Sequence, residues 1–519
     1  MSSVDQGRDP RTGAAVGTPY PHTDTAGVDR TALAAAAAAA PLAALSPARR
    51  CELLRAVASA LDAARDELVR LADAETALGE ARLDGELTRT CVQLEMFADV
   101  VAAGADLDVI IDLADPAAVP APRPDLRRML VPIGPVGVFA ASNFPFAFSV
   151  AGGDTASALA AGCPVVVKAH PDHPGLSQRT WEIVAAALTD AGAPAGTFGL
   201  VRGVAAGRDL VTHPAIKAVG FTGSLAAGRA LFDLAVSRPD PIPFYGELGS
   251  LNPVVVTAGA LTERADDVVT GFIGSLTLGS GQFCTKPGLL FLPSGHGLAD
   301  AFAKALAGTT LGPLLSEKIR NGFEHSRRAL AAVAGVRAIS DGSTVDRAAS
   351  PSPTSVAPAL FAVSADDLLR HRDDLLVECF GPAGLVVEYD TADQLVDALA
   401  AVPGALTATV HAASQPAADE ARLVRRLLGL LTGKAGRVIW GGWPTGVAVT
   451  WAQHHGGPWP ATTAPLHTSV GVTAIRRFQR PVVYQNLPDE LLPEPLRDAN
   501  PWGLPRRVNG QLHNGPITR

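Results

Sequence analysis

The chain has 519 residues, of which 47% are hydrophobic and 18% charged, enough for two or three domains with a large core and too apolar for a disordered protein. The formal net charge is −8 and no basic stretch is clustered, which argues against nucleic-acid binding. The five cysteines are widely spaced without a CxxC pair, so they predict neither a disulfide framework nor a zinc site.

The amino-terminal residues 1–25 are polar and rich in turn formers, and we expect an irregular lead-in. They lack the basic-then-apolar layout of a signal peptide. The alanine-rich stretch at 32–41 is too short and too weakly apolar to span a bilayer. The cytoplasm is therefore the expected location, and no membrane partner is expected.

A helical region follows this lead-in. Ser46 and Pro47 are typical of a helix start, with serine as N-cap and proline at the first helical position. Apolar residues then recur at helical spacing, and we expect them to form one buried face: Leu54, Val57, Leu61, Leu68 and Leu71.

Short runs rich in valine and isoleucine begin near residue 131: IGPVGVFAA, PVVVK, FGLV and IKAVGF. Alanine-rich helical segments separate them, which predicts a mostly parallel sheet in a doubly wound α/β fold. In such a fold ligands bind outside the carboxyl ends of the strands.

A second alternating set begins after residue 247 with NPVVVTA, GLLFLP and PAGLVVEY, and predicts a second α/β domain over 248–467. The proline-rich segment 115–132 is expected to be a linker or a projecting strand pair. The polar, proline-rich tail from about 487 is expected to be an arm or a surface wrap.

The stretch GQFCTKPG places Cys284 between Gly281 and Gly288, which allow unusual backbone angles. An isolated cysteine in such a turn is more often a core residue, but a thiol held on a tight turn can be a nucleophile. That chemistry needs a group that accepts protons and a donor for the developing oxyanion.

Two residues at strand ends suit these needs. Glu247 lies between two glycines after a short apolar run, where packing explains a carboxylate poorly, although a surface glutamate beside a glycine turn is an alternative. Asn143 follows the strand VGVFAA, and its amide can donate to an oxyanion, although asparagine is also a common turn former.

Further motifs suggest a phosphate-containing ligand. Lys168 ends the strand VVVK and can reach ribose hydroxyls or a phosphate, unless it is simply a solvated strand end. The stretch GFTGS forms a strand–turn–helix junction at Ser224, and helix N-termini bind phosphate through free N–H groups. Its glycines do not follow GxGxxG, so the spacing alone is weak.

Taken in order, Asn143, Lys168, FTGS, ELG, GQFCT and ECFGP resemble the motifs of the aldehyde dehydrogenase superfamily over essentially the whole chain. The resemblance implies an enzyme in which Cys284 is the nucleophile and Glu247 the general base. Asn143 would then form the oxyanion hole with the Cys284 backbone N–H. The expected reaction passes through a thiohemiacetal and a thioester, and no metal is expected.

The resemblance also implies the cofactor contacts. Lys168, Gly223 and Ser224 would hold the adenosine and pyrophosphate half of NAD(P). Glu378 would bind the nicotinamide ribose, and Phe380 would line the nicotinamide side.

One departure bears on the choice of cofactor. In the NAD-preferring pattern a glutamate lies three residues after the lysine and grips the adenosine ribose, whereas this chain has Pro171. No carboxylate is then left to repel a 2′-phosphate, and His170 or Arg208 could add positive charge. We therefore expect NADP, with NAD also possible.

Longer segments, among them GGWPTGVAVTWAQHHGGPWPATT, are similar to one branch of the superfamily. That branch contains 2,5-dioxovalerate (α-ketoglutaric semialdehyde) dehydrogenases and NADP-dependent fatty aldehyde dehydrogenases. The expected substrate is α-ketoglutaric semialdehyde, with aliphatic aldehydes as the alternative. The His454–Gly457 element would lie near the substrate entrance, although a structural turn is equally plausible.

The resemblance implies a Rossmann-like cofactor domain over 1–114 and 133–247 and a catalytic domain over 248–467. The segments 115–132 and 468–519 would form the oligomerisation element and arm of a homodimer or homotetramer. Two other classes stay open. Acyl transfer to coenzyme A is disfavoured because such enzymes lack the glutamate found at 247, and a non-catalytic binding protein is disfavoured by the intact Cys284, Glu247 and Asn143.

Overall fold

The computed structural model describes residues 3–343 and 352–518, which form nineteen strands and fifteen α-helices. The strands are β1 Val4–Arg8, β2 Ala15–Pro21, β3 Ile110–Asp112, β4 Leu126–Pro132, β5 Val136–Phe139, β6 Val165–Lys168, β7 Phe198–Val201, β8 Ala218–Thr222, β9 Phe244–Glu247, β10 Pro253–Val256, β11 Leu289–Pro293, β12 Arg337–Ser340, β13 Ala359–Ser364, β14 Ala383–Tyr389, β15 Ala405–His411, β16 Ala435–Trp440, β17 Gln479–Gln485, β18 Arg506–Val508 and β19 Gln511–His513.

The helices are α1 Thr25–Ala43, α2 Pro47–Ala63, α3 Arg65–Thr76, α4 Glu80–Ala103, α5 Gly153–Ala161, α6 Pro174–Asp190, α7 Val204–Thr212, α8 Leu225–Val236, α9 Ala258–Thr277, α10 Ala299–Ala307, α11 Glu317–Ala332, α12 Ala365–Arg370, α13 Arg372–Leu375, α14 Ala392–Ala401 and α15 Ala418–Thr432. Within 3–343 and 352–518, no helix combines the length and apolar character needed to cross a membrane.

The first large sheet has the parallel strand order β7-β6-β5-β8-β9. The chain builds outward from β5 through β6 to β7, then returns to the other side of β5 with β8 and β9. The strand order therefore reverses between β5 and β8, which is where doubly wound folds bind ligands. This confirms the predicted α/β fold and its four valine-rich strands.

The second large sheet has the order β12-β13-β14-β11-β10-β15-β16. All its pairings are parallel except that β12 runs antiparallel to β13. The three apolar runs noted after residue 247 form its central strands β10, β11 and β14, which explains why they carry an almost unbroken series of buried side chains.

A third sheet, of order β17-β4-β3-β18-β19, joins distant parts of the chain. Strand β4 gives the segment 115–132 its projecting strand and pairs antiparallel with β17. The tail is more than a surface arm, because β18 pairs with β3 and Leu492, Leu496 and Leu504 are buried against Ile111. Strand β3 lies in this sheet although it falls within 1–114; the division into domains stays a prediction.

Two local expectations were wrong. The first 25 residues contain an antiparallel hairpin of β1 and β2, in which Asp5 pairs with His22 at 2.9 Å, where we expected an irregular lead-in. The apolar stripe from Leu54 to Leu71 spans two helices, because the chain turns at Ala64 between α2 and α3. The predicted start is confirmed, since the Ser46 hydroxyl caps α2 by accepting from the Arg49 N–H.

Candidate active site

The carboxyl edge of the first sheet brings the predicted residues together. Lys168 ends β6, Glu247 ends β9, and Gly223 and Ser224 follow β8 directly. Asn143 lies in the loop that follows β5. Because parallel strands end on the same side of a sheet, residues far apart in sequence converge on one cleft.

The turn before Cys284 has an unusual backbone. Gly279, Ser280 and Gly281 have φ values of 57°, 56° and 69°, which lie in the left-handed region. A Cβ on Gly281 would clash with the carbonyl of Gly381, so glycine is required there for close approach as well as conformation. The turn therefore carries backbone strain that surrounding contacts must hold.

Asn252 is the residue that fixes this turn from the other side. Its side-chain amide donates to the carbonyls of Cys284 at 2.8 Å and Lys286 at 2.9 Å. Its own carbonyl oxygen accepts from the N–H and the hydroxyl of Thr407 on β15. The backbone of the cysteine is thus tied to strand β15 of the second sheet.

The thiol of Cys284 lies beside a buried histidine. His455 Nε2 is 3.5 Å from the Cys284 Sγ and 3.0 Å from Oε1 of Glu247. The second carboxylate oxygen of Glu247 accepts from the Ser469 hydroxyl at 3.0 Å, while Oε1 has no well-aligned hydrogen-bond donor among the described residues. One imidazole nitrogen therefore lies between a thiol and a carboxylate.

The surroundings raise the pKa of Cys284 and lower the pKa of Glu247. Burial, the nearby carboxylate of Glu247 and its hydrogen bond raise the pKa of the Cys284 thiol well above its usual range. Burial also raises the pKa of Glu247, but the charge of His455 and hydrogen bonds from His455, Ser469 and Cys284 outweigh it and lower the pKa. The thiol therefore holds its proton at neutral pH beside an ionised carboxylate.

Asn143 contacts the same turn. Its Nδ2 donates to the carbonyl of Gln282 at 3.0 Å, two residues before the cysteine, and its backbone carbonyl accepts from Arg82 Nη2 at 2.7 Å. Because a side-chain amide carries two N–H groups, one donor remains for a ligand.

The residues predicted to bind the adenosine half of the cofactor have donors available for an anion. Lys168 is half-buried, and its ammonium group forms no hydrogen bond or ion pair within the described part of the chain. Ser224 caps α8 through the Ala227 N–H, and the exposed first turn of α8 leaves backbone N–H groups free. These groups fit the phosphates of a dinucleotide.

His170 does not supply the expected positive charge, whereas for Arg208 the expectation stays a prediction. Burial, followed by the charges of His173 and Lys168, lowers the pKa of His170 well below its usual range, so its ring is neutral at physiological pH. It stacks on His173 with ring centroids 5.6 Å apart. Arg208 is exposed on α7, next to Gly207, which packs against Lys168.

Glu378 and Phe380 lie in the loop before β14, both half-buried. Burial raises the pKa of Glu378 to about 7, opposed by the charge of Lys286. The ammonium group of Lys286 donates to the carbonyls of Cys379 at 2.8 Å and Ala383 at 2.6 Å. This lysine ties the cysteine turn to the loop that carries Glu378.

The ligand atoms of Glu247, Cys284 and His455 all lie within 4.8 Å of one another, so these three residues could also hold a metal ion. Thiolate, imidazole and carboxylate are the donors that zinc prefers. Sequence reasoning gave His455 no chemical role and missed Ser469 altogether; the HHGG motif was the available signal.

Residues 5–457 match the family model described as "Aldehyde dehydrogenase family". The chain is 48% identical to "Alpha-ketoglutaric semialdehyde dehydrogenase 2" of Azospirillum brasilense, over 89% of this chain and 87% of the relative. It is 42% identical to "Alpha-ketoglutaric semialdehyde dehydrogenase" of Acinetobacter baylyi, with the same coverage.

Among solved structures, a 3,6-anhydro-L-galactose dehydrogenase in complex with NAP superposes with a TM-score of 0.78 at 21% identity, covering 93% of this chain and 96% of that one. The fold is that of a dehydrogenase of aldehydes. The chain belongs to the aldehyde dehydrogenase family, which confirms the predicted class of enzyme.

Proposed function

We propose that this protein oxidises α-ketoglutaric semialdehyde (2,5-dioxovalerate) to 2-oxoglutarate with NAD(P), through a thioester on Cys284. The contact that carries this proposal is the line from the Cys284 Sγ through His455 Nε2 to the Glu247 carboxylate. The substrate is proposed because two relatives at 48% and 42% identity bear the name of that activity.

The first step needs the proton of Cys284 to leave, because the neighbourhood holds the thiol in its neutral form. His455 Nε2 lies 3.5 Å from the sulfur, within reach to accept that proton. The new N–H then faces the Glu247 carboxylate 3.0 Å away, which stabilises the imidazolium. The sulfur attacks the aldehyde carbon and forms a thiohemiacetal.

The oxyanion of the thiohemiacetal needs donors. The free N–H of the Asn143 amide and the Cys284 backbone N–H are suited to that task, and removal of one such donor typically costs about 10²–10³ in rate. NAD(P), when bound, accepts the hydride that the thiohemiacetal carbon releases. A thioester remains on Cys284.

Hydrolysis of the thioester needs a base for water. Glu247 is ionised, buried and held by Ser469 through Oε2, while Oε1 has no well-aligned donor and can take a proton. The hydroxide adds to the thioester carbon, the carbon–sulfur bond breaks, and the departing sulfur takes back the proton held by His455, which regenerates the thiol. The presence of this base favours hydrolysis over acyl transfer to coenzyme A.

We propose Lys168, Gly223 and Ser224 for the adenosine and pyrophosphate half of the cofactor, and Glu378 with Phe380 for the nicotinamide half. NADP is the preferred cofactor in this proposal, because Pro171 is exposed beside Lys168 and brings no carboxylate to the 2′ position. Arg208 is a second cation for that corner, whereas the neutral His170 would contribute contact only.

Assembly as a homodimer or homotetramer, in the cytoplasm, completes the proposal. Strand β17 is at one edge of the third sheet and β16 is at one edge of the second. Unpaired strand edges favour pairing with another chain. Light scattering of the purified protein tests the assembly.

An aldehyde panel with both cofactors tests the function. The wild-type protein should reduce NADP with α-ketoglutaric semialdehyde at a higher kcat/KM than with aliphatic aldehydes. Cys284→Ala should abolish oxidation and retain cofactor binding, whereas Cys91→Ala is a matched control outside the site. Preference for long aliphatic aldehydes would replace the proposed substrate, and inactivity with all aldehydes would overturn the proposal.

A further inference from the structure

Helix α4 lies against the loop that follows β5. The Glu86 carboxylate on this helix accepts hydrogen bonds from the backbone N–H groups of Phe146 at 2.8 Å and Ala147 at 3.0 Å. These bonds hold the inner face of α4 over the segment that carries Asn143. A side chain one turn further along this face therefore lies near the same loop.

Arg89 is that side chain. Its guanidinium carbon lies 5.0 Å from the ring centroid of Phe148 and 5.9 Å from that of Phe144. Its Nε and Nη2 are inaccessible to solvent and have no hydrogen-bond partner among residues 3–343 and 352–518. A buried guanidinium whose donors face no acceptor requires an explanation.

Contacts from Arg89 lead to the reacting groups. The Phe148 ring lies 6.3 Å from the His455 ring, whose Nε2 is 3.5 Å from the Cys284 sulfur. Burial lowers the pKa of Arg89, while the charges of Glu86, Cys284 and Glu247 raise it. The guanidinium is therefore within electrostatic reach of the nucleophile and the carboxylate.

Two neighbouring arginines are already used by the protein. Arg82 donates to the Asn143 carbonyl at 2.7 Å. Arg437 on β16 donates to the carbonyls of Pro444 at 2.7 Å and Gly446 at 2.9 Å. Both hold loops of the site in place, and Arg89 differs from them because it holds no loop through a hydrogen bond within the described residues.

We propose that Arg89 binds the carboxylate group of the substrate, at the end of the molecule opposite the aldehyde. This assignment rests on the proposed function and names a residue that selects its substrate. A guanidinium presents parallel N–H groups that match a carboxylate in a bidentate pair. The structure thus assigns Arg89 to oxo-acid substrates that carry an aldehyde.

The aromatic rings around Arg89 sharpen this selectivity. Phe144 and Phe148, which both face the Arg89 guanidinium, pack edge to face with centroids 5.4 Å apart and offer an apolar wall to a carbon chain. A neutral aldehyde can contact that wall but would leave the buried Nε and Nη2 of Arg89 without a hydrogen-bond acceptor. A carboxylated aldehyde of the same length contacts the apolar wall with its carbon chain and pairs with the guanidinium through its carboxylate.

The test compares α-ketoglutaric semialdehyde with pentanal, a neutral aldehyde of the same length. In Arg89→Met the ratio of the two kcat/KM values should fall by about 10- to 150-fold, mainly through the KM of the oxo acid. Arg89→Lys should give an intermediate ratio, because it keeps the charge and loses the fork. Arg55→Met is the matched control, since Arg55 pairs on the surface with Glu95 and Asp99.

A binding measurement is independent of turnover. The product 2-oxoglutarate should protect Cys284 of the wild-type protein from iodoacetamide, and this protection should be lost in Arg89→Met and weakened in Arg89→Lys. Equal losses with both aldehydes, or undiminished protection in the variants, would overturn the role of Arg89. If the wild-type protein oxidises neither aldehyde, the proposed function fails, and the protection assay still decides whether Arg89 binds the carboxylate.

Discussion

His455 Nε2 lies 3.5 Å from the Cys284 sulfur, although 171 residues separate them in sequence. The histidine is completely buried, and the same nitrogen is 3.0 Å from Glu247. Because burial and Glu247 keep the thiol protonated, this contact decides how the nucleophile is formed. It also gives the HHGG motif a chemical purpose.

His455→Gln should slow formation of the nucleophile, because it removes the imidazole that can accept the thiol proton and leaves only the Glu247 carboxylate beside the sulfur. General base catalysis typically contributes about 10²–10⁴ in rate. Stopped-flow measurement of the first burst of reduced cofactor, and alkylation of Cys284 by iodoacetamide at pH 7, should both be slower. The defect should shrink as pH rises toward the raised pKa of the thiol.

The neighbouring His454 provides the control, because it is half-buried and makes no contact with the sulfur among the described residues. His454→Gln should have a much smaller effect on the burst. Alkylation of His455→Gln at the wild-type rate across the whole pH range would remove this histidine from proton transfer.

Glu247→Gln should stop the reaction after the first turnover. The amide cannot accept a proton from water, so the thioester should accumulate on Cys284 after one burst of reduced cofactor. Intact-mass spectrometry should detect the acyl adduct, and Ser469→Ala should slow its hydrolysis to a smaller degree. Steady turnover of Glu247→Gln without an adduct would show that another group activates water.

Cofactor affinity should depend on the ionisation of Glu378. Burial raises its pKa to about 7, so the carboxylate is largely protonated at pH 6 and largely ionised at pH 8. Only the ionised form accepts hydrogen bonds from both ribose hydroxyls, and the Kd of NADP should therefore fall as pH rises through 7. Below the pKa the change approaches tenfold per pH unit.

Glu378→Gln should bind NADP more weakly and lose most of this pH dependence in a fluorescence titration. Glu263→Gln, a change on the surface of α9, should retain the wild-type profile. A Glu378→Gln protein with the wild-type slope would assign the titration to a different group.

Pro171→Glu should shift cofactor preference toward NAD. A glutamate there would oppose the 2′-phosphate by repulsion and would compete for Lys168. A charge-assisted hydrogen bond contributes roughly 1.5–3 kcal/mol, or about 10- to 150-fold in affinity. The ratio of kcat/KM for NADP to that for NAD should fall within this range, whereas equal losses with both cofactors would mean that residue 171 does not face the 2′ position.

The alternating apolar runs were sufficient to predict one parallel and one mostly parallel sheet, because a strand buried on both faces leaves a nearly continuous hydrophobic signature. The hairpin of β1 and β2 could not be predicted in this way. Strand β2 is largely exposed, and the buried positions of β1 are Asp5 and Gly7, which leave no hydrophobic pattern in the sequence. Polar strands at the surface resemble loops in sequence.

Cys284, Glu247 and Asn143 could be proposed as site residues from the sequence, because each lies in a glycine-rich turn or at a strand end. Arg89 could not be proposed in this way, because it lies in the middle of an ordinary amphipathic helix where arginine is usually solvated. Its position depends on the hydrogen bonds from the 143–148 loop to Glu86. A contact made by tertiary packing leaves no local signal in the sequence.

The partners of Glu247 come from late in the chain. His455 and Ser469 supply its ion pair and hydrogen bond, and Thr462 forms a backbone bridge to it. On the ribosome, Cys284 and Glu247 emerge long before these residues exist, and domains fold as the chain appears. A chain that has not yet been extended to Ser469 thus carries Cys284 and Glu247 without the histidine and serine that complete the site, and the site can form only after residues 455–469 have been made.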